Sequence, residues 1–363
     1  MTPPRAIHAK LPAAQGYRMP AEWEPHESTW LAWPHFRGDW PGKFDPIPWV
    51  YAEIVRNLAR HERVDLIVND ASWEKRAWTV LEKADALSGN VCFHHWRTDR
   101  VWTRDSGCIF LTPPTDHSDS EPLALHFQFN AWAKYPNYKL DEEVGERMAQ
   151  AAGARVVHPF SKKHRVVLEG GSIDVNGRGT LITTEECLLS TTQQRNPPMD
   201  RAAYEQLFAD YFGAQSVIWL DSGIAGDDTH GHVDDITRFV APNTVVTMVE
   251  PNERSENYAA LHANLGRLKN ARPADGHKLD IVELPMPRPV VFEGRQLPAS
   301  YANFYIANGA VLVPVFNDPN DRIALNTLTE LFPAREIVPI YCGDLIWGFG
   351  ALHCMTQQQP RKT

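Results

Sequence analysis

The sequence predicts an α/β protein on three observations. Short apolar runs of strand character recur along the whole length, amphipathic segments of helical period lie between them, and no strong linker interrupts the 363 residues. In chain order, the first helix is predicted over 49–60, where Trp49, Val50, Ile54, Leu58 and Ala59 fall near a helical period. A strand follows at 64–68 (VDLIV), then a second helix over 73–87 with Ser72 as its N-cap. Strands are predicted at 109–111, 123–129, 166–168 and 179–183, a helix over 202–212, and strands at 217–220 and 245–249. A helix over 257–268, strands at 279–284 and 311–315, and a helix over 321–332 complete the alternation. The polar stretches 113–122, 196–200 and 251–256 read as surface loops within one domain, because apolar segments continue on both sides. The polar tail 358–363 is expected to fray.

Composition narrows the function classes. Lys plus Arg number 36 and Asp plus Glu 45, a net charge of −9. No nucleic-acid partner is expected, because phosphate binding needs a positive field, whereas a cationic small molecule is favoured. No apolar run reaches the roughly 18 residues of a membrane span, so no membrane partner is expected. Residues 1–16 hold no apolar stretch of the kind a secretory signal needs, and a cytoplasmic protein is the default expectation. The five cysteines, Cys92, Cys108, Cys187, Cys342 and Cys354, are widely spaced and form no CxxC pair. Neither a zinc ribbon nor a disulfide framework is expected, and most should be small buried apolar residues. No GxGxxG turn or P-loop occurs, so a nucleotide cofactor is not supported.

Four clusters could carry chemistry. Cys354 ends the run Trp347-Gly-Phe-Gly-Ala-Leu-His-Cys354. There Gly348 and Gly350 permit unusual backbone angles and close approach of a ligand, and Trp347 and Phe349 supply apolar walls. On an extended strand His353 would point away from Cys354, and a buried structural cysteine fits the local pattern equally well. In Gly226-Asp-Asp-Thr-His-Gly-His-Val-Asp-Asp235, His232 and Asp234 share a face of an extended segment, joined by His230 if the extension persists. A metal site or a solvated acidic loop are the other readings. Leu168-Glu-Gly-Gly-Ser172 holds Glu169 near a tight turn, or is an ordinary turn with a solvated acid. Val101-Trp-Thr-Arg-Asp-Ser-Gly107 crowds Trp102, Arg104 and Asp105, although Arg104 with Asp105 could be an ion pair and Trp102 a core residue.

Together the clusters offer a thiol, a histidine and several carboxylates, a set suited to a guanidinium. Carboxylates hold that planar cation by bidentate charge-assisted hydrogen bonds. A thiolate is a suitable nucleophile for its electron-poor carbon. A histidine can protonate departing ammonia and then activate water, and an aromatic ring can cover the flat cation.

These residues resemble the agmatine deiminases, within the guanidino-modifying superfamily related to the peptidyl-arginine deiminases. The resemblance runs through Met19-Pro-Ala-Glu-Trp-Glu-Pro-His26, Trp30-Leu-Ala-Trp-Pro34, Trp102-Thr-Arg-Asp-Ser-Gly107 and Phe129-Asn-Ala-Trp132. It continues in Leu168-Glu-Gly-Gly-Ser172, Thr184-Glu-Glu-Cys-Leu-Leu189 and Gly231-His-Val-Asp234. It ends with Tyr301-Ala-Asn-Phe-Tyr-Ile-Ala-Asn-Gly309 and His353-Cys-Met-Thr-Gln-Gln-Gln-Pro360. It implies a fivefold pseudo-symmetric αβ propeller (a pentein-like fold), with residues 1–363 forming a single guanidine-hydrolase catalytic domain. Five repeats are not readable from the sequence itself. The implied reaction is agmatine plus water giving N-carbamoylputrescine plus ammonia, within polyamine metabolism. By position, Cys354 would be the nucleophile that forms an amidino-cysteine intermediate, and His232 the general acid and then the general base. Asp105, Glu169 and Asp234 would grip the guanidinium, while Trp102 and, less securely, Trp23 would line the substrate pocket. The partner implied is a small cationic guanidine, with no metal and no organic cofactor; a homodimer is a family expectation.

Of three departures from the family pattern, Cys108 reads as structural, while His230 and the run Trp347-Gly-Phe-Gly-Ala-Leu352 with Phe349 at its centre bear on which guanidine is read more than on the reaction. The runner-up is a peptidyl-arginine or free-arginine deiminase with the same Cys/His mechanism. Arginine's α-carboxylate would need a basic clamp, for which Arg104, Arg195 and Arg254 are the candidates. A non-catalytic guanidine- or polyamine-binding protein would need neither nucleophile nor base, and a metal-dependent hydrolase would use His230, His232 and Asp234.

Overall fold

The computed structural model describes residues 11–114 and 121–361. The middle of the predicted loop 113–122, the start of the stretch 1–16 and the tail end 362–363 lie outside the described residues. The protein is mixed α/β. Five sheets share one plan: a strand antiparallel to a central strand, the central strand, a helical crossover, and a strand parallel to the central one. Parallel pairing requires such a crossover, because the chain must return to the same end of the sheet.

In the first sheet His26–Ala32 is central. Gln357–Pro360 runs antiparallel on one side, and Arg63–Val68 followed by Val91–His95 runs parallel on the other. Helices Ile47–Leu58 and Ala71–Lys83 make its crossovers. The second sheet joins Ile109–Leu111, Leu123–Leu125 and Arg155–Val157, with helix Val144–Ala151. The third joins Asp174–Val175, Thr180–Thr184 and Ser216–Leu220, with Arg201–Phe212. The fourth joins Thr237–Ala241, Thr244–Val249 and Asp280–Pro285, with Tyr258–Asn270. The fifth joins Tyr305–Ile306, Ala310–Val315 and Glu336–Tyr341, with Asp321–Leu331. Two-stranded ribbons Phe160–Ser161/His164–Arg165 and Val291–Phe292/Arg295–Gln296 stand apart, and among the described residues no sheet closes on itself. Central strands such as Thr180–Thr184 are buried along their length, which is why they read as continuous apolar or Thr-rich runs. Among the described residues no helix is long and apolar enough to cross a membrane.

Several expectations shift. The first helix begins at Ile47, ahead of the apolar period, because Pro48 fits the first helical turn, where no backbone N–H is needed. The second is capped by Asp70 rather than Ser72: its side chain accepts from Ser72 N at 2.8 Å and Trp73 N at 3.0 Å. It stops at Lys83, before Asp85 turns to φ 53°. The predicted strand 166–168 is a single bridge between Val167 and Gln128, and the strand from Leu123 ends at Leu125. The polar tail does not fray through its first residues. Gln359 Oε1 accepts from Trp30 Nε1 at 3.1 Å and Ser28 Oγ at 3.3 Å, and Gln358 Oε1 accepts from Arg104 Nη1 at 2.8 Å. Amide side chains are as polar as loop residues in sequence, yet buried and hydrogen-bonded they close the first sheet.

Candidate active site

Each sheet is approached through a turn just before its antiparallel strand, and these turns carry the polar groups of one site. Asp105 sits on the single helical turn Thr103–Ser106 ahead of Ile109–Leu111. Glu169 caps the turn Gly170–Ser172 ahead of Asp174–Val175. His232 caps Val233–Asp235, which carries Asp234 and precedes Thr237–Ala241. Asn303 follows a turn at 301–302 and precedes Tyr305–Ile306; Cys354 lies in the turn 352–355 ahead of Gln357–Pro360.

Cys354 is buried, and its Sγ accepts from Asn303 Nδ2 at 3.1 Å and lies 3.8 Å from Asp234 Oδ2. Asp234 Oδ2 is 2.7 Å from His353 Nδ1, and His353 Nε2 is 2.8 Å from Glu22 Oε2. Arg238 and Arg104 reach the same Glu22 oxygen at 3.0 and 3.3 Å. Burial opposes a charge on Glu22, but Arg238, His353 and Arg104 outweigh it and hold this carboxyl well below the usual carboxylate range. Burial likewise opposes Asp234, whose pKa is nevertheless lowered by His353, His232 and Arg238.

His232 stands between two carboxylates, Nδ1 3.9 Å from Asp105 Oδ2 and Nε2 3.9 Å from Glu169 Oε2. Burial by itself would depress the imidazole, but Asp105, Cys187 and Glu169 hold it well above its ordinary value. Arg195 Nε donates to Glu169 Oε1 at 3.0 Å, and against burial the Arg195 and His232 charges bring Glu169 down to about 2. Asp105 has no such arginine. Burial, reinforced by Asp234 and Glu169 and opposed by His232, pushes it up to about 6. Its oxygens accept from Trp132 Nε1 at 2.9 Å and Gly171 N at 3.0 Å. Gly171 is required by crowding: a Cβ there would lie 2.6 Å from His232 Nδ1 and 3.0 Å from both Asp105 Oδ1 and Asp234 Oδ2. Burial, with Asp234, Asp235 and Asp105 nearby, pushes the Cys354 thiol well above its usual value.

A cavity of about 170 Å³ opens onto Cys354, lined around it by Trp102, Asp105, Trp132, Phe349 and Gly350. Asp39, Arg100, Tyr135, Asp228, Thr229, Arg295 and Trp347 form further wall. Trp102 packs on Trp40 at 5.7 Å. A Cβ on Gly350 would come within 2.6 Å of the Trp102 ring and 3.0 Å of Cys354 Cβ. The glycines flanking Phe349 therefore serve close approach; the positive backbone angle, φ 68°, belongs to Phe349 itself.

The fold thus brings Cys354, His232, Asp105, Glu169 and Asp234 together and sets Trp102 in the cavity wall. Trp23 is not in that wall: its half-buried ring packs on the core, and its neighbour Glu22 turns inward instead. His230 also leaves the site, because positive φ at His230 and Gly231 breaks the extended run, and its Nε2 meets Ser190 Oγ at 3.1 Å. Cys108 is buried in the core. Arg104 is committed to Glu22 and Gln358, Arg195 to Glu169, and Arg254 is exposed; the arginines that line the cavity are Arg100 and Arg295. Sequence reasoning missed Glu22, Trp132 and Asn303, although each stands inside a motif it quoted, and it turned His353 away from a site whose Asp234 it holds. Arg295, on an exposed hairpin, carried no sequence signal. Glu169, Cys187 and His232, and separately Asp234, Asp235 and Cys354, stand close enough to hold a metal ion; so do the buried His126 and the half-buried Glu146 and His158.

Buried acceptors without donors describe what the site can take. Glu169 Oε2 and Asp234 Oδ1 have no hydrogen-bond partner among the described residues, and buried polar atoms are ordinarily paired. Residues 18–360 match the family described as Porphyromonas-type peptidyl-arginine deiminase. The chain is 35% identical over 377 residues to agmatine deiminase of Pseudomonas aeruginosa (strain LESB58), spanning 96% of this chain and 97% of that one. It resembles the structure of agmatine deiminase of Enterococcus faecalis catalysing its reaction, with a TM-score of 0.87, 29% identity, and coverage of 97% and 98%. A cysteine-to-serine form of C. jejuni agmatine deiminase with substrate bound is similar at a TM-score of 0.83 and 30% identity, covering 95% and 96%.

Proposed function

The chain belongs to the Porphyromonas-type peptidyl-arginine deiminase family, and from that premise we propose that it hydrolyses the guanidinium of agmatine to N-carbamoylputrescine and ammonia. The observation that carries this reading is the pair of unpartnered buried carboxylate oxygens, Glu169 Oε2 and Asp234 Oδ1, in the site of the Cys354 thiol. A guanidinium supplies planar N–H donors for such oxygens. In the cavity wall Asp39, paired with Arg100 through Oδ1 but with Oδ2 unpartnered among the described residues, suits the ammonium at the other end of agmatine, whereas Asp228 is already bonded to Lys134, Tyr135 and Arg295.

The acidic surroundings disfavour a resting thiolate, so the arriving cation itself favours ionisation, the thiol proton leaving towards Asp234 Oδ2. Sulfur then bonds to the guanidinium carbon. His232, held protonated by its carboxylate neighbours, gives its proton to the departing ammonia. This leaves the amidino-cysteine. Neutral His232 next takes a proton from water, whose oxygen attacks the same carbon; the C–S bond then breaks, the remaining hydroxyl proton passing to the departing sulfur as the ureido product leaves, and Asp234 gives its proton to the released ammonia. Asp105 and Glu169 keep the group oriented through both steps.

The five sheets of one strand plan support reading the fold as a fivefold αβ propeller and residues 1–363 as a single catalytic domain. The free cysteines of the described residues fit a cytoplasmic location. A second reading, free arginine or an arginine peptide as substrate, is favoured by Arg295, exposed over the Phe349 ring in the cavity wall, where a carboxylate could compete with Asp228 for it; Arg100 is already bonded to Asp39 and Asn137. Ammonia release from agmatine, arginine and a blocked arginine peptide, each with chelator present, separates the readings. Ammonia with a ureido product from agmatine alone is expected and should vanish in Cys354→Ala; activity confined to arginine or the peptide would transfer the assignment to the second reading.

A further inference from the structure

We propose that His126, Glu146 and His158 form a binding site for one divalent transition-metal ion of the zinc class, separate from the site of Cys354 and with no part in its chemistry. Sheet register brings the two histidines together. Leu125 and Val157 are partners in a parallel pair, and His126 and His158 are the residues that follow them, with His126 N donating to Val157 O at 2.9 Å. Neighbouring strands lie about 4.8 Å apart, and the two imidazole centroids are 5.4 Å apart. Glu146 comes from the crossover helix Val144–Ala151 of the same sheet. Gly145 lets that helix sit close, since a Cβ there would lie 2.8 Å from His126 Cδ2.

The spacing and the donor set fit an ion. One ligand atom from each residue lies within 4.8 Å of the other two. Glu146 Oε2 is 3.6 Å from His126 Nδ1 and 4.0 Å from His158 Nε2. Ligands about 2.1 Å from a tetrahedral ion stand about 3.4 Å from one another, so small turns of the half-buried Glu146 and His158 side chains complete the site. His126 presents the correct tautomer. Its Nε2–H donates to Glu142 O at 2.8 Å, which leaves the lone pair on Nδ1, as a carbonyl partner does for a ligating imidazole. Burial, and then the Arg165 charge, hold this imidazole below its ordinary value, in the neutral form that ligation needs. His158 Nδ1 is buried without a partner among the described residues, so no hydrogen bond there opposes ligation through Nε2. One cation competes: Arg165 Nη2 donates to His126 Nδ1 at 3.1 Å and to His126 O at 3.2 Å. A metal ion takes the first of these positions and leaves the second. Lys139 and Arg147 are already paired with Glu142 and Glu143. An open cleft of about 540 Å³, lined by His126, Glu146, Gln150 and Arg165, gives an entry path and room for water as the fourth ligand. Two imidazoles and a carboxylate suit zinc, whereas magnesium and calcium take oxygen ligands. The ion would tie the helix to the ends of two strands, so its effect falls on stability.

The test is zinc titration of the chelator-stripped protein against a chromophoric chelator, with cobalt(II) as a spectroscopic probe, in wild type, Glu146→Gln and His158→Ala. Both substitutions fall on half-buried side chains that the fold does not depend on for its core. Wild type should bind one zinc ion at micromolar or lower concentration, and each variant should bind it at least about tenfold more weakly, since partners outside the ligand shell alone are worth about ten- to a hundredfold. Cobalt should show the visible bands of a tetrahedral ion without the near-ultraviolet band of a thiolate ligand, and zinc should raise the melting temperature of wild type but of neither variant. Absence of micromolar binding in wild type, or an affinity unchanged in both variants, overturns the proposal. A thiolate band that disappears together with zinc binding in Cys187→Ser or Cys354→Ala overturns it equally, because the ion then sits in a cysteine-bearing cluster.

Discussion

Asp105 and Glu169 are both wholly enclosed carboxyls beside one histidine, yet they titrate in opposite directions. The difference is one arginine. Arg195 lies 3.0 Å from Glu169 and helps to offset its burial, whereas Asp105 meets N–H donors, His232 and two further carboxylates but no arginine among the described residues. Glu169 at about 2 stays an anion well into the acid range, while Asp105 at about 6 loses its charge just below neutral pH. Gripping a guanidinium requires Asp105 ionised, so kcat/KM for agmatine should climb as pH rises through about 6. Asp105→Asn should lower kcat/KM by about two orders of magnitude, as for a lost charged contact in an enclosed site, and erase that rising limb. A pH–rate profile on both proteins checks this, and a limb surviving in the variant would assign it to another group.

At the scale of elements, the turns rather than the strands and helices hold the chemistry. Regular strands space side chains on alternate faces, which separates neighbours; short turns let His232 and Asp234, or His353 and Cys354, serve one site together. The glycines in these turns are placed for clearance. Gly350→Ala would drive a methyl group into the Trp102 ring and the Cys354 side chain. KM for agmatine should rise by roughly tenfold or more, since about 1.4 kcal/mol of lost binding is a factor of ten, while thermal stability changes little because the cavity can absorb the ring. Steady-state kinetics beside a melting curve reads both; a normal KM would mean that Trp102 does not touch the substrate.

At the scale of the molecule, the two ends of the chain meet in the first sheet. Gln357–Pro360 pairs with His26–Ala32, and the same junction carries Cys354 from one end and Glu22 from the other. Gln359 fastens it by accepting from Trp30 and Ser28. Gln359→Ala leaves the buried Trp30 N–H without this acceptor and takes one partner from Ser28, which costs about 1–3 kcal/mol. The expected result is a lower denaturant midpoint with kcat and KM near wild type; an unchanged midpoint would show that the junction does not depend on this side chain. The five-sheet plan was not legible in the sequence, because its strands range from the two residues of Asp174–Val175 to the seven of His26–Ala32 and share no repeated motif. Sheets need matched backbone pairing, which many different side chains satisfy.

The sequence by itself determined the α/β alternation, the family, and the kinds of residue available for chemistry, because periodicity and short motifs are properties of neighbours along the chain. Orientation was decided only by the tertiary structure: Glu22 inward instead of Trp23, His230 turned aside, His353 bonded to Asp234, and Arg295 brought to the cavity from a distant hairpin. It also decided charge state. Asp105 and Glu169 look alike as letters, and what separates them is Arg195, which only the folded chain carries to one and not the other.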